Sequence, residues 1–186
     1  SNWGIDLLIK DILKKNKKKG IYIDIGCHHP LINNNTYDLY RNGWKGINVD
    51  LDFNSIDMFN YFRPRDNNFV AALSNKKGQA DLYFFHNRAP KNTISKQRGK
   101  GAKSIKRIKV DTLDNIIKNS KFRIKDIDFL SIDVEGNELN VLKGLNFGKY
   151  RPKIVSIEFM KPNIKEFYQH NIKGILKSNI YKFMIS

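Results

Sequence analysis

Between Ile21 and Asp50 the chain passes through a short apolar strand, a glycine, a polar turn, one helical stretch and a second apolar strand. This order constrains the fold more than any other feature. Ile21 to Ile25 is too short for a helix and too apolar for an exposed strand. Gly26 ends it, Asn33-Asn34-Asn35-Thr36 offers helix caps, and Tyr37 to Arg41 forms one short helix that stops at Asn42-Gly43. Gly46 to Val49 is the second strand and ends at Asp50. A strand, crossover and strand within about 30 residues is a βαβ unit, which makes the two strands parallel. Parallel sheets are buried on both faces, so the rest of the chain must supply helices for both sides.

The remaining sequence fits that demand. Trp3 to Lys15 carries Ile5, Leu8, Ile9, Ile12 and Leu13 at helical spacing, ahead of the basic linker that runs to residue 19. Ser55 is expected to cap a helix reaching Phe62, and Phe69 to Leu73 to form a strand with Ala80 to Phe85 as its hairpin partner across Asn75 to Gly78. From His86 to Lys103 the chain is polar, basic and without either period, which predicts a long mobile loop that could act as a lid. Ser104 to Val110 alternates, Asp111-Thr112-Leu113-Asp114 starts a helix, Ile127 to Ile132 is a buried strand ending at Asp133, and Asn137 to Gly144 is a helix. Ile154 to Phe159 reads as a strand. Asn163 then opens a helix with Ile164, Phe167, Tyr168, Ile172, Ile175 and Leu176 on one face, before a terminal strand at Tyr181 to Ile185. The expectation is one α/β domain over residues 1–186 with a doubly wound, mostly parallel sheet, Rossmann-like in outline.

Composition removes several function classes. With 186 residues the chain suits one domain, and its apolar runs are far shorter than a bilayer helix requires. The start lacks the basic and apolar signature of a secretory signal, and the single Cys27 suits a reducing compartment, so a cytoplasmic location without a zinc or other metal site is expected. A net charge of +16 has two readings: an anionic partner, or lysines enriched together with Asn and Ile that only solvate the surface.

In an open α/β sheet, ligands bind beyond the carboxyl ends of the strands. The polar residues there are Asp24 and Gly26, Asp50-Leu51-Asp52, Ser74, and Asp133-Val134-Glu135-Gly136. Gly26 with Asp50 some two dozen positions later resembles a nucleotide-binding fingerprint, in which Asp50 would accept from ribose hydroxyls. The second and third glycines of that pattern are replaced by His28 and a residue near Pro30. A pyrophosphate needs bare N–H groups and is repelled by a carboxylate such as Asp24, whereas the ammonium of S-adenosylmethionine would be attracted. Simpler roles stand beside these: Asp24 as a local partner, Asn35 and Thr36 as caps, His28 and His29 as loop residues satisfying backbone groups.

Several motifs together carry a family resemblance. Tyr22-Ile23-Asp24-Ile25-Gly26-Cys27-His28-His29-Pro30, Asn35-Thr36-Tyr37, Gly43-Trp44-Lys45-Gly46-Ile47-Asn48-Val49-Asp50 and Ile132-Asp133-Val134-Glu135-Gly136-Asn137-Glu138 are similar to the FkbM family of S-adenosylmethionine-dependent methyltransferases. Val110-Asp111-Thr112-Leu113-Asp114 and Arg151-Pro152-Lys153 with Glu158 extend the likeness over roughly residues 20 to 160. The resemblance implies a class I methyltransferase sheet and methyl transfer to a hydroxyl of a natural product, sugar or glycan precursor. The loop Cys27-His28-His29-Pro30 departs from the small, glycine-containing loop commoner in the family. The chain also stops where a final antiparallel strand would follow Tyr181 to Ile185, so truncation is expected.

Methyl transfer from a sulfonium needs an oriented acceptor oxygen and, for an alcohol, a base. Asp133 is the first candidate for base or positioning group, then Glu135, with His29 and Glu158 behind. The expected cofactor contacts are Asp24, Gly26, His28, Asn35, Thr36, Asp50, Leu51, Ser74 and Asp133. Arg88, Lys91, Lys96, Arg98, Lys100 and Lys103 are expected to close over an acceptor that is anionic. Two alternatives remain open from charge and fold: an RNA methyltransferase, favoured by the basic stretch Arg88 to Lys109, and a nucleotide-binding domain without turnover.

Overall fold

The computed structural model describes residues 4–14, 19–87, 89, 91–159 and 173–186. Along them run α1 (Ile5–Lys14), β1 (Ile21–Ile25), α2 (Tyr37–Arg41), β2 (Lys45–Asp50), α3 (Phe53–Phe62), β3 (Asn67–Val70), β4 (Ala72–Leu73), β5 (Gly78–Phe84) and β6 (Ser104–Asp111). There follow α4 (Leu113–Lys118), β7 (Phe129–Ile132), α5 (Glu138–Lys143), β8 (Ile154–Ile157), α6 (Lys173–Leu176) and α7 (Asn179–Ile185). Five strands form one parallel sheet in the order β3-β2-β1-β7-β8, and three form a smaller sheet in the order β4-β6-β5. The chain runs outward from β1 to β2 and β3, then returns to place β7 on the other side of β1, so the strand order reverses between β1 and β7. That reversal splays the connections apart and leaves a crevice at the carboxyl ends.

Side chains alternate across each strand, and the two faces hold separate cores. Ile23, Ile25, Ile47, Val49, Leu130 and Ile132 pack with Leu113, Ile116 and Ile117 of α4 and Val141 and Leu142 of α5. The opposite positions Tyr22 and Phe129 pack with Ile9 and Leu13 of α1, Leu39 of α2, and Trp44. This is the two-sided covering that the parallel sheet required.

One polar knot sits inside the second face. The Tyr22 hydroxyl donates to Asp66, whose carboxylate also accepts from the Gly46 N–H at 2.8 Å and from Asn48 Nδ2 at 3.0 Å. Tyr22 faces Gly46 across the β1–β2 pair, and its ring fills the place where a side chain at 46 would start.

Four expectations are corrected. Tyr181 to Ile185 is not a strand: α7 is a helix, capped by the Ser178 hydroxyl accepting from the Tyr181 N–H at 3.1 Å. Ile180 and Phe183, three apart, pack on the main core, a helical and not an alternating spacing. The strand expected at Phe69 to Leu73 divides at Ala71, whose N–H turns to the Asp50 carbonyl at 2.8 Å, so that β3 and β4 join different sheets. The hairpin partner of β5 is β6, antiparallel over seven residue pairs, while β4 pairs with β6 in parallel. Two residues of β4 offer too few ladder bonds to hold β5, whereas the eight-residue β6 spans it fully. Asp52, rather than Ser55, caps α3, its side chain accepting from the Ser55 N–H at 3.2 Å. The helix expected to open at Asn163 lies outside the described residues until α6.

Gly46→Ala should destabilise the fold by about 1–3 kcal/mol, because the added methyl must displace a fully buried tyrosine ring that is also hydrogen-bonded. A urea unfolding midpoint equal to that of the parent would contradict this packing.

Candidate active site

A cavity of about 1050 Å³ opens beyond the carboxyl ends of β1, β2, β7 and β8. Asp24, Gly26, His28, Asn35, Asp50, Leu51, Asp133 and Glu135 all line it, so most of the residues expected at a ligand site meet there. Glu158 lines it too. Thr36, Ser74 and His29 are not among the lining residues. Thr36 is fully buried behind Asp24. The Ser74 N–H donates to the Asp111 carbonyl, and its hydroxyl turns to Asn75. His29 Nδ1 accepts from the N–H groups of Leu31 and Ile32 at 3.1 and 3.0 Å, which spends the imidazole lone pair on the loop.

The turn after β1 is shaped by close approach. Gly26 has φ +75°, and a Cβ there would overlap the Asp133 carbonyl oxygen, so glycine lets the ends of β1 and β7 touch. His28 (φ +50°) and Glu135 (φ +57°) hold left-handed conformations without being glycine, a strained state that concentrates at working sites. The Asp50 carboxylate supports this geometry, accepting from the His28 N–H and the Asp52 N–H at 2.9 Å each. A carboxylate has about four lone-pair directions, so these two bonds leave Asp50 further acceptor capacity. Asp24 is buried, its Oδ2 accepting from Asn34 Nδ2 at 3.0 Å and from the Thr36 hydroxyl at 2.9 Å. Burial raises its pKa above the usual carboxylate value, partly offset by the Arg63 charge and these two bonds.

On the same cavity wall, carboxylate oxygens of Asp133, Glu135 and Glu158 lie within 4.8 Å of one another. The Arg98 guanidinium donates to Glu135 and reaches Glu158 at 3.5 Å. Burial raises all three pKa values, and Glu158, beside Asp133 and Glu135, is pushed up to about 8. Asp133 and Glu158 are hydrogen-bonded to each other and hold a proton between them, because two ionised carboxylates this close repel each other. Glu158, its pKa raised to about 8, keeps that proton at neutral pH.

Among the described residues the basic loop does not bring its cations to the cavity wall. Arg98 is committed to Glu135 and Glu158, Arg88 lies outside the described residues, and none of Lys91, Lys96, Lys100 or Lys103 lines the cavity. Among the described residues the wall carries Asp24, Asp50, Asp52, Asp133, Glu135 and Glu158, with His28 and no lysine or arginine. The loop is also tied down: the Thr93 hydroxyl donates to the Glu135 carbonyl at 2.8 Å, and Thr93 bridges Tyr83 of β5. Sequence reasoning missed Asn34 and Arg63. An arginine beside a proline after a helix reads as solvent-exposed, and only the packing reveals that Arg63 is fully buried.

Glu158 gives a pH prediction whose sign follows from linkage. Its proton stays on in the folded chain up to about pH 8 but leaves near the ordinary 4.5 in the unfolded chain. Stability is therefore full below that lower value and declines as pH rises toward the upper one. Glu158→Gln should flatten the fall in thermal midpoint between about pH 5 and pH 9; parallel curves for the two proteins would refute the assignment.

The sequence matches the family model described as the methyltransferase FkbM domain over residues 24–183, from the site aspartate of β1 into α7. Searches of curated proteins and of solved structures return no match. With the parallel five-stranded sheet and the carboxylate-lined crevice at its switch point, this match establishes that the chain belongs to the FkbM methyltransferase family and is a methyltransferase.

Proposed function

We propose that the chain transfers the methyl group of S-adenosylmethionine to a hydroxyl of a small molecule, sugar or glycan precursor. The observation that carries the proposal is the charge of the cavity wall: six carboxylates, one histidine and no lysine or arginine among the described lining residues of a chain with net charge +16. A donor bearing a sulfonium and an ammonium against one carboxylate is a net cation, and it suits this wall where a pyrophosphate would be repelled. The donor supplies an activated methyl group when bound. Asp24 would face the ammonium, and Asp50 would accept from the ribose hydroxyls with the lone pairs its turn bonds leave.

For the acceptor, Asp133 is the base. It lines the cavity and is hydrogen-bonded to Glu158, which holds the proton of the pair at neutral pH. Glu158 donates a hydrogen bond to it and so tempers its basicity, while Arg98 fixes Glu135 alongside. An acceptor hydroxyl donating to Asp133 would have its oxygen oriented and its proton removed as the new C–O bond forms. The wall disfavours a phosphate at this point, so an acceptor whose reacting part is a neutral polyol fits better than RNA, which the overall positive charge alone would favour.

Two variants test the reading. Asp133→Asn should leave donor affinity intact and lower turnover by about 10²–10⁴, as expected for a positioned proton acceptor. Incorporation of labelled methyl from the donor into sugar pools as methoxyl groups, against incorporation into an RNA pool, identifies the acceptor class; label entering RNA alone would overturn it. Asp50→Ala should weaken S-adenosylmethionine binding by about 1.5–3 kcal/mol. Calorimetry on a variant that still unfolds cooperatively checks it, and an unchanged dissociation constant would remove Asp50 from the donor site.

A further inference from the structure

Arg63 is the largest side chain that the fold buries completely, and its bonds lead toward the cavity. Its Nε donates to the Pro30 carbonyl at 2.9 Å and its Nη2 donates to the same oxygen. Nη2 also donates to Asn34 Oδ1 at 2.7 Å, and Nη1 to the Thr36 hydroxyl oxygen at 2.9 Å. The guanidinium lies among three aromatic rings, 4.8 Å from the centroid of Phe59, 5.4 Å from Tyr37 and 5.6 Å from Tyr40. One residue just past α3 thus clamps the whole turn between Pro30 and Thr36. Lysine could not reproduce the clamp, since the bonds need a planar fork of several donors.

The direction of the hydrogen bonds extends the clamp to the site. Asn34 Oδ1 already accepts from Arg63 Nη2 and from the Thr36 N–H at 2.9 Å, which fills its two lone pairs. The single proton of the Thr36 hydroxyl is therefore free for Asp24 Oδ2 at 2.9 Å, while Asn34 Nδ2 donates to the same oxygen. We propose that Arg63 is a positioning residue for the methyl donor: through Thr36 and Asn34 it holds the Asp24 carboxylate, in its anionic form, at the cavity wall where an ammonium would bind. The inference rests on the reading that S-adenosylmethionine is the donor and that Asp24 faces its ammonium.

Electrostatics agrees with the geometry. Burial and the nearby Asp133 push Asp24 toward its neutral acid, which could not pair with an ammonium. Arg63 is the leading opposing influence, followed by the bonds from Thr36 and Asn34. The buried Cys27 thiol is also packed close to Asp24; its pKa is raised well above its usual value, so it stays neutral. A cation without water around it is costly unless something compensates, and here its rings and acceptors do so while its charge acts on Asp24.

The test needs no acceptor. S-adenosylmethionine binding is measured by calorimetry from about pH 5 to about pH 7 on the parent chain, Thr36→Val, Arg63→Met and Asp24→Asn. In the parent, binding should weaken as acid protonates Asp24. Thr36→Val, which keeps the side-chain shape, and Arg63→Met should both move this weakening to higher pH, so that their affinity falls further behind the parent's as the pH is lowered. Asp24→Asn should remove it. Equal loss at every pH, or curves identical to the parent, in a folded Thr36→Val would overturn the inference even if Arg63→Met failed to fold. A parent chain that binds no S-adenosylmethionine would instead overturn the reading beneath it.

Discussion

The contact between the end of β1 and the end of β7 is the constraint on which the rest of the site depends. Gly26 has no side chain there because the Asp133 carbonyl oxygen takes up the space, and its φ of +75° turns the chain toward the cavity. Two parallel strands that were neighbours in a continuous winding would not bring these turns together. They meet because the strand order reverses between them, so the turn carrying His28 and the turn carrying Glu135 lean over one crevice. Both residues sit in left-handed backbone, and each is braced: His28 by the Asp50 carboxylate, Glu135 by the Thr93 hydroxyl and Arg98.

The charges are divided in a way that net charge conceals. The chain as a whole carries +16, yet the described wall of the cavity is acidic. The two arginines that matter to the site act from behind its surface, Arg63 through neutral side chains and Arg98 through direct pairing with carboxylates. Each counters the tendency of buried carboxylates to take up protons. Arg63 favours the anion of Asp24, and Arg98 does the same for Glu135, while Glu158 keeps a proton that it shares with Asp133.

The smaller sheet belongs to the same design. Its strand β5 meets the loop after it at the Tyr83 to Thr93 bridge, and the Thr93 side chain continues to the Glu135 carbonyl. A segment whose composition suggests free movement is in this way bonded to the turn after β7, with Arg98 lying across Gly136, where a side chain would collide with it.

The sequence by itself determined the parallel α/β sheet, its cores and most of the residues around the crevice. Those signals are local: apolar runs of strand length, helix caps, glycines at strand ends, and acids at or just beyond the carboxyl ends of strands, as at Asp24, Asp50 and Asp133. It did not determine the partner of β5, the helical state of α7, the burial of Arg63 or the pairing of Arg98. The pairing of β5 with β6 joins segments separated by the long loop, and nothing in either strand specifies the other until both are formed. Tyr181 to Ile185 is compatible with either period, and the surface offered to Ile180 and Phe183 by the main core selects the helix. For the two arginines the reason is energetic. A charged side chain is by default solvated, and only a complete set of acceptors and rings brought together from distant parts of the chain makes its burial affordable, which is a property of the tertiary structure alone.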